Sequence, residues 1–212
     1  MHLEILCEEP SAAAALNLLM PRILAAADTF RVLDLQCKSQ LLAALPARLR
    51  AYAQRLCFEP DLRVLVLIDR DRADCKTLKQ TLEQAAQAAG LQTLTAARPG
   101  AGRAPVGPFQ LVSRVVCEEL EAWFLGDPAA VEQAYPNARR GHFERNHLRD
   151  PDNVKGGTWE ALQRTLRKGR YYPAGLAKIQ AARDIAPHLD LARNVSPSFQ
   201  AFVAGVRAFS LV

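Results

Sequence analysis

No apolar run in this 212-residue chain approaches membrane length; the strongest, Val64–Ile68, is five residues long and ends at Asp69. A membrane-spanning helix needs about 20 apolar residues, so none is expected. The amino terminus has no basic leader, and an acid already stands at Glu4, which argues against a secretory signal. Cysteine is sparse and unpatterned: five are present, an odd number, and no two form a CxxC pair. Without export a disulfide framework is not expected, so the chain reads as cytoplasmic, with Cys7, Cys37 and Cys117 as buried thiols in apolar runs. The phosphate-cradling order G-x-x-x-x-G-K-[ST] is also missing. Segment 98–108 holds three Gly and three Pro but no lysine, and reads as a loop. What is present, 50% hydrophobic and 23% charged residues, is the balance of an ordinary globular chain. Its length suits one large domain or a domain with an extension.

The charge is unevenly placed. Between Arg139 and Arg170 stand nine Lys or Arg against four acids, an excess equal to the whole net charge of +5. Trp159, Tyr171, Tyr172, His142 and His147 lie in or beside this stretch. Basic groups interleaved with flat rings suit a phosphate-rich polymer, by charge neutralisation and base stacking. A solvated helix face would give the same composition. From this stretch Arg139, Arg140, Arg164, Arg167 and Lys168 are the candidate nucleic-acid ligands, with Lys178 further on as a phosphate ligand or a plain surface lysine.

Five segments read as strands: Leu3–Cys7, Arg31–Cys37, Arg63–Ile68, Leu91–Ala97 and Leu111–Cys117. The third is continuously apolar, as a central strand covered on both faces should be. Helices are expected from Ser11, from Ser39 (with Pro46 as a kink or break), and over Cys75–Ala89. A further helix, Glu118–Leu125, carries Trp123 and Phe124 as anchors, and the last starts at Ser198. The alternation predicts an α/β fold: a doubly wound parallel sheet with helices on both faces. Residues 1–126 form the α/β core of this reading, and 127–212 a mostly helical portion packed on it.

Ligands of open parallel sheets collect at the carboxyl ends of the strands, and three strands here end in acids. These are Glu8-Glu9, then Asp69-Arg70-Asp71 with Asp74, then Glu118-Glu119-Leu120-Glu121. Clustered carboxylates repel, and a hard divalent cation such as Mg²⁺ or Mn²⁺ is the natural neutraliser. Helix capping is the competing role for Asp74 and, less so, Asp71. The dipole of a first helical turn would account for one or two of the glutamates. On a helix Glu118 and Glu121 would share a face.

Glu8-Glu9-Pro10-Ser11 and Ile68-Asp69-Arg70-Asp71 together resemble the Toprim domain of topoisomerases, primases and overcoming-lysogenization-defect nucleases. A closer resemblance is to the Toprim-like bacterial DUF4276 family. It rests on Glu8-Glu-Pro-Ser-Ala12, Leu67-Ile-Asp-Arg-Asp-Arg72, Cys117-Glu-Glu-Leu-Glu-Ala-Trp-Phe-Leu-Gly-Asp127 and Asn194-Val-Ser-Pro-Ser-Phe199. The resemblance implies Mg²⁺-dependent phosphodiester hydrolysis on DNA or RNA. Glu8 would then move protons while Asp69 and Asp71 hold the metal. Glu121 looks like the additional acid of RloB-type proteins, with Glu118 joining it. It further implies a partner ATPase and a place in defence against phage. Glu9 stands where the Toprim pattern usually has Gly, which leaves Glu8 and Glu9 as alternatives for the Toprim glutamate.

Rival readings have sequence discriminators. A haloacid-dehalogenase phosphatase carries its Asp-x-Asp after the first strand, not the third. A receiver domain needs a lysine after strand five, where this chain has Cys117-Glu118. A Toprim-like module that binds nucleic acid or an ATPase without cutting would share every motif above. His142 and His147 lack nearby cysteines and make a weak zinc pair.

Overall fold

In the computed structural model, which describes residues 1–100 and 103–211 with side chains through Ser210, the apolar runs become a four-stranded parallel sheet. Its strands are β1 (His2–Cys7), β2 (Thr29–Asp34), β3 (Leu62–Asp69) and β4 (Leu111–Val116), in the order β2-β1-β3-β4. Helix α1 (Pro10–Ile23) joins β1 to β2, α2 (Lys38–Arg55) joins β2 to β3, and α3 (Cys75–Ala88) leads toward β4. Proline does not break α2, which runs through Pro46. Next come the short α4 (Leu94–Ala97), then α5 (Glu121–Leu125), α6 (Pro128–Ala134) and α7 (Arg145–Arg149). The chain closes with α8 (Thr158–Lys168), α9 (Lys178–Ile185) and α10 (Pro197–Arg207).

Strand alternation divides the interior into two layers. Leu6, Val64, Val66 and Ile68 pack with Leu41, Leu45 and Leu49 of α2 and Leu78 and Leu82 of α3. Leu3, Ile5, Cys7, Leu65 and Leu67 pack on the other face with α1. The same apolar cluster continues through Trp123, Phe124, Leu162, Ile185, Phe199 and Phe202, so the carboxyl-terminal helices share a core with β1 and α1. β1 and β3 are neighbours, yet their following helices lie on opposite faces. That reversal opens a crevice at their carboxyl ends, the place where doubly wound sheets take ligands.

The expected fourth strand is a correction. Thr93 touches the sheet by one bridge to Leu111, and its side chain accepts from Ala96 N, capping α4 instead. A local hydroxyl cap thus overrides an apolar alternation. Strand β2 also ends early, at Asp34, where Asp34 accepts from Gln36 N in a turn at positive φ. Cys37 is therefore exposed, as is Cys57, while Cys7 is buried. Part of the Gly- and Pro-rich loop, residues 101 and 102, lies outside the described residues. No helix of the described residues is long and apolar enough to cross a membrane.

Two motifs far apart in sequence close on each other. Trp123, fully buried, donates through Nε1 to Ser198 Oγ at 3.1 Å, and Asn194 Nδ2 donates to Trp123 O at 2.7 Å. Asp152, also buried, accepts from Ser196 Oγ and from Ser198 N. Ser196, not Ser198, caps α10, accepting from Phe199 N. A Cβ on Gly126 would lie 2.3 Å from Asn194 Oδ1 and 2.9 Å from the Ser196 backbone, so only glycine fits there. Asp127, with no exposed surface, takes a two-pronged ion pair from Arg193 at 2.9 Å and accepts from Ala130 N and Asp190 N. The Trp-Phe-Leu-Gly-Asp run is thus a structural clasp, and its carboxylate is consumed there.

Candidate active site

Glu8 leaves β1 where the sheet stops, and Asp69 is the last residue of β3 beside it. Asp69 N donates to Glu8 Oε1 at 2.9 Å, which fixes one carboxylate oxygen of Glu8. The other, Oε2, is buried with no partner. Burial pushes the Glu8 carboxyl up to about 7, against the opposing effects of the Asp69 backbone N–H and Lys38. Asp69, 5% exposed, is held well above the usual carboxylate range, first by burial and then by Glu8, Glu9, Glu121 and Asp71. These shifts are the energetic mark of unneutralised acids kept close together.

A cavity of about 590 Å³ opens over this pair. Its acids are Glu8, Glu9, Asp69, Asp71 and Glu119; the turn after β2 supplies Gln36 and Cys37, and the start of α2 supplies Lys38 and Ser39. Asp71 turns back at φ 50°, its N–H bonded to Glu118 O, and meets Lys38 Nζ at 2.5 Å. A second hollow of about 440 Å³ shares Asp71 and Glu119 and adds Arg72, Glu118, Trp159 and Glu160. The crevice is thus a groove running from β1 past β4, walled by acids.

Glu121 sits deeper than any other acid of the run, 1% exposed, with Oε2 unpartnered. Burial pushes its carboxyl up to about 7, while Lys178 acts against the shift. Lys178 Nζ lies 3.7 Å from Glu121 and 3.4 Å from Glu119, and also over the Trp159 ring. Burial lowers the Lys178 ammonium, but Glu121, Glu9, Glu119 and Asp69 outweigh it and hold it above its usual value. Lys178 is therefore part of the site as the partner of acids, not a solvated lysine.

Glu118 departs from the helical expectation. It stands at φ 60° before α5, which starts only at Glu121, so the two acids do not share a helix face. Glu118 faces Arg70 at 3.4 Å, and burial raises its carboxyl. Asp74 is the cap of α3, accepting from Thr77 N. Lys38 had no signal in its own motif; the clue was its place just after a parallel strand, at the sheet end where ligands gather.

The donor set fits a hard divalent cation: carboxylate oxygens, with one oxygen each of Glu8, Glu118, Glu121 and Glu160 buried and unpartnered. Glu8 and Asp69 are the nearest to ready ligands. Among the described residues, however, no three acids, histidines or cysteines are arranged to hold an ion as they stand. Lys38 and Lys178 occupy the places beside Asp71 and Glu121 that a cation would contest.

The Lys and Arg side chains of the basic stretch do not line this groove, although Trp159 and Glu160 of the same stretch do. Arg139 and Lys168 border a separate cavity with His142 and Arg170. Arg140 borders another with Arg193. Arg164 pairs with Glu144 at 3.6 Å, and Arg167 donates to Pro173 O at 2.7 Å. His147 is buried beside Glu144 and apart from any zinc-like cluster among the described residues. Among the described residues the cations at the groove itself are Lys38, Arg70, Arg72 and Lys178. A family model described as a domain of unknown function, DUF4276, matches residues 7–207. No curated protein and no solved structure matches the chain.

Proposed function

We propose that this chain, which belongs to the DUF4276 family, is a nuclease of Toprim type that hydrolyses phosphodiester bonds of DNA or RNA with Mg²⁺ or Mn²⁺. The observation that carries the reading is the Glu8–Asp69 pair: two buried carboxylates joined at 2.9 Å through the Asp69 backbone, with an unpartnered Glu8 oxygen and a cavity of about 590 Å³ that both residues line. Buried acids left in this state are costly unless something cationic enters.

Glu8 and Asp69 would hold the ion, Asp71 would join on leaving Lys38, and Glu121 would complete the set from the carboxyl-terminal side. A divalent ion so bound supplies charge stabilisation at a phosphate and a water of lowered pKa. Glu8, at the edge of that set, is the acid that would take a proton from an attacking water and return it to the leaving oxygen. Lys38 and Lys178, released from their acids, would offset charge on the scissile phosphate. Arg139, Arg140, Arg164, Arg167 and Lys168, none of which lines the acidic groove, would hold the strand away from the reacting bond.

A second reading, binding without cutting, is favoured by one observation: Lys38 and Lys178 already pair with three of the acids, Asp71, Glu119 and Glu121. One experiment separates the two. Labelled DNA and RNA are incubated with the purified chain in Mg²⁺, in Mn²⁺ and in a chelator, alongside Asp69→Asn. The nuclease reading expects cleavage that requires metal and is lost in Asp69→Asn while the variant keeps its fold. Retained binding without cleavage in any metal would leave only the second reading.

A further inference from the structure

A cluster of unpaired positive charge among the described residues lies outside the acidic groove. Segment 137–142 and the end of α8 face each other across a cavity of about 330 Å³ lined by Asn137, Arg139, His142, Lys168, Gly169 and Arg170. No acid lines it. Among the described residues Arg139, Lys168 and Arg170 make no ion pair, unlike Arg164, which is drawn off by Glu144. The walls are fixed. Gly169 packs so closely that a Cβ there would lie 2.9 Å from the Asn137 and Ala138 backbone. Lys168 Nζ donates to His142 O at 2.9 Å, and Arg170 is turned back at φ 66° with its N–H bonded to Arg167 O. His142 Nδ1 is buried and has no partner.

Three cations converging on a concave surface repel one another unless an anion enters. Lys168 and Arg170 also complement the carbonyl end of α8. Arg139 comes from another segment and has no such role. We propose that this cavity is a phosphate-binding site, in which Arg139, Lys168 and Arg170 surround a phosphate group and His142 donates a hydrogen bond to it. Arginine's planar fork suits the oxygen pair of a phosphate, and the lysine adds a point charge. The phosphate group belongs either to a nucleic-acid strand or to a free phosphate. In the first case the site refines the nucleic-acid reading of the basic stretch. It does not rest on the metal reading, since a chain unable to cut would still bind here.

The test titrates the intact chain, in chelator, with inorganic phosphate and separately with a single-stranded oligonucleotide. Two double variants are compared with the parent: Arg139→Ala with Arg170→Ala, and Arg145→Ala with Arg149→Ala. Each removes two exposed charges of the same stretch, but the second pair lies outside the cavity. Thermal melts confirm that both variants fold. A loss of about tenfold or more confined to the first variant is expected. Its appearance with the oligonucleotide assigns the site to a strand; its appearance with phosphate alone assigns it to the free anion. Equal losses in both variants, or no binding of either ligand by the parent, would overturn the proposal.

Discussion

Replacing Glu8 by Gln should make the metal-free protein more stable at pH 8. The Glu8 carboxyl is buried and raised from 4.5 to about 7, and its Oε1 accepts from Asp69 N, a bond the amide oxygen of Gln keeps. Because the folded-state pKa lies above the unfolded one, the folded protein binds more protons between about pH 4.5 and 7. Stability therefore falls as pH rises through that window, and the full penalty is present above it. At about 1.4 kcal/mol for each pKa unit, the ionised Glu8 costs up to about 3 kcal/mol. Urea unfolding followed by circular dichroism, at pH 5 and pH 8 in chelator, reads this directly. The variant should gain up to about 3 kcal/mol at pH 8 and less than about 1 kcal/mol at pH 5. Added Mg²⁺ should stabilise the parent more than the variant. A variant less stable than the parent at pH 8, or a difference independent of pH, would refute the assignment of Glu8 as an unneutralised buried charge.

Lys178→Met should destabilise the protein by about 2 kcal/mol at pH 8, because it strands the Glu121 carboxylate, and the loss should shrink at pH 5 where Glu121 takes up a proton. The same urea series checks it, and adding Glu121→Gln should restore most of the loss. Lys38→Met should tighten Mn²⁺ binding by no more than about fivefold, since it frees Asp71 from a partly exposed ion pair; calorimetric titration measures this. Gly126→Ala should cost about 3 kcal/mol or more, because the added carbon meets Asn194 and the Ser196 backbone with no room to move, and a thermal melt suffices to see it.

The sequence shows the main strands where burial alone decides them. Val64–Ile68 is apolar on both sides because both faces of β3 are covered, and the positions of Glu8 and Asp69 at strand ends follow from that register. Trp123 and Phe124 are anchors as their size suggests. Elsewhere a local bond defeats the pattern: the Thr93 hydroxyl caps a helix where alternation suggests a strand. Glu118 looks helical by spacing, but its left-handed backbone is set by packing against Asp71, which no single-chain periodicity carries. Lys38 and Lys178 reach the acids from elements distant in sequence, so their pairing with Asp71 and with Glu119 and Glu121 depends on tertiary placement. The basic stretch shows the same limit: its composition is plain, but the side of the molecule it faces is not.

The central claim is that the groove between β1 and β3 takes a divalent cation on Glu8 and Asp69. Electron paramagnetic resonance of Mn²⁺, titrated into the parent and into Asp69→Asn at pH 8, tests it without any assumption about substrate. The parent should remove free Mn²⁺ from solution saturably, and Asp69→Asn should not. Equal binding by both proteins, or none by the parent, would contradict it.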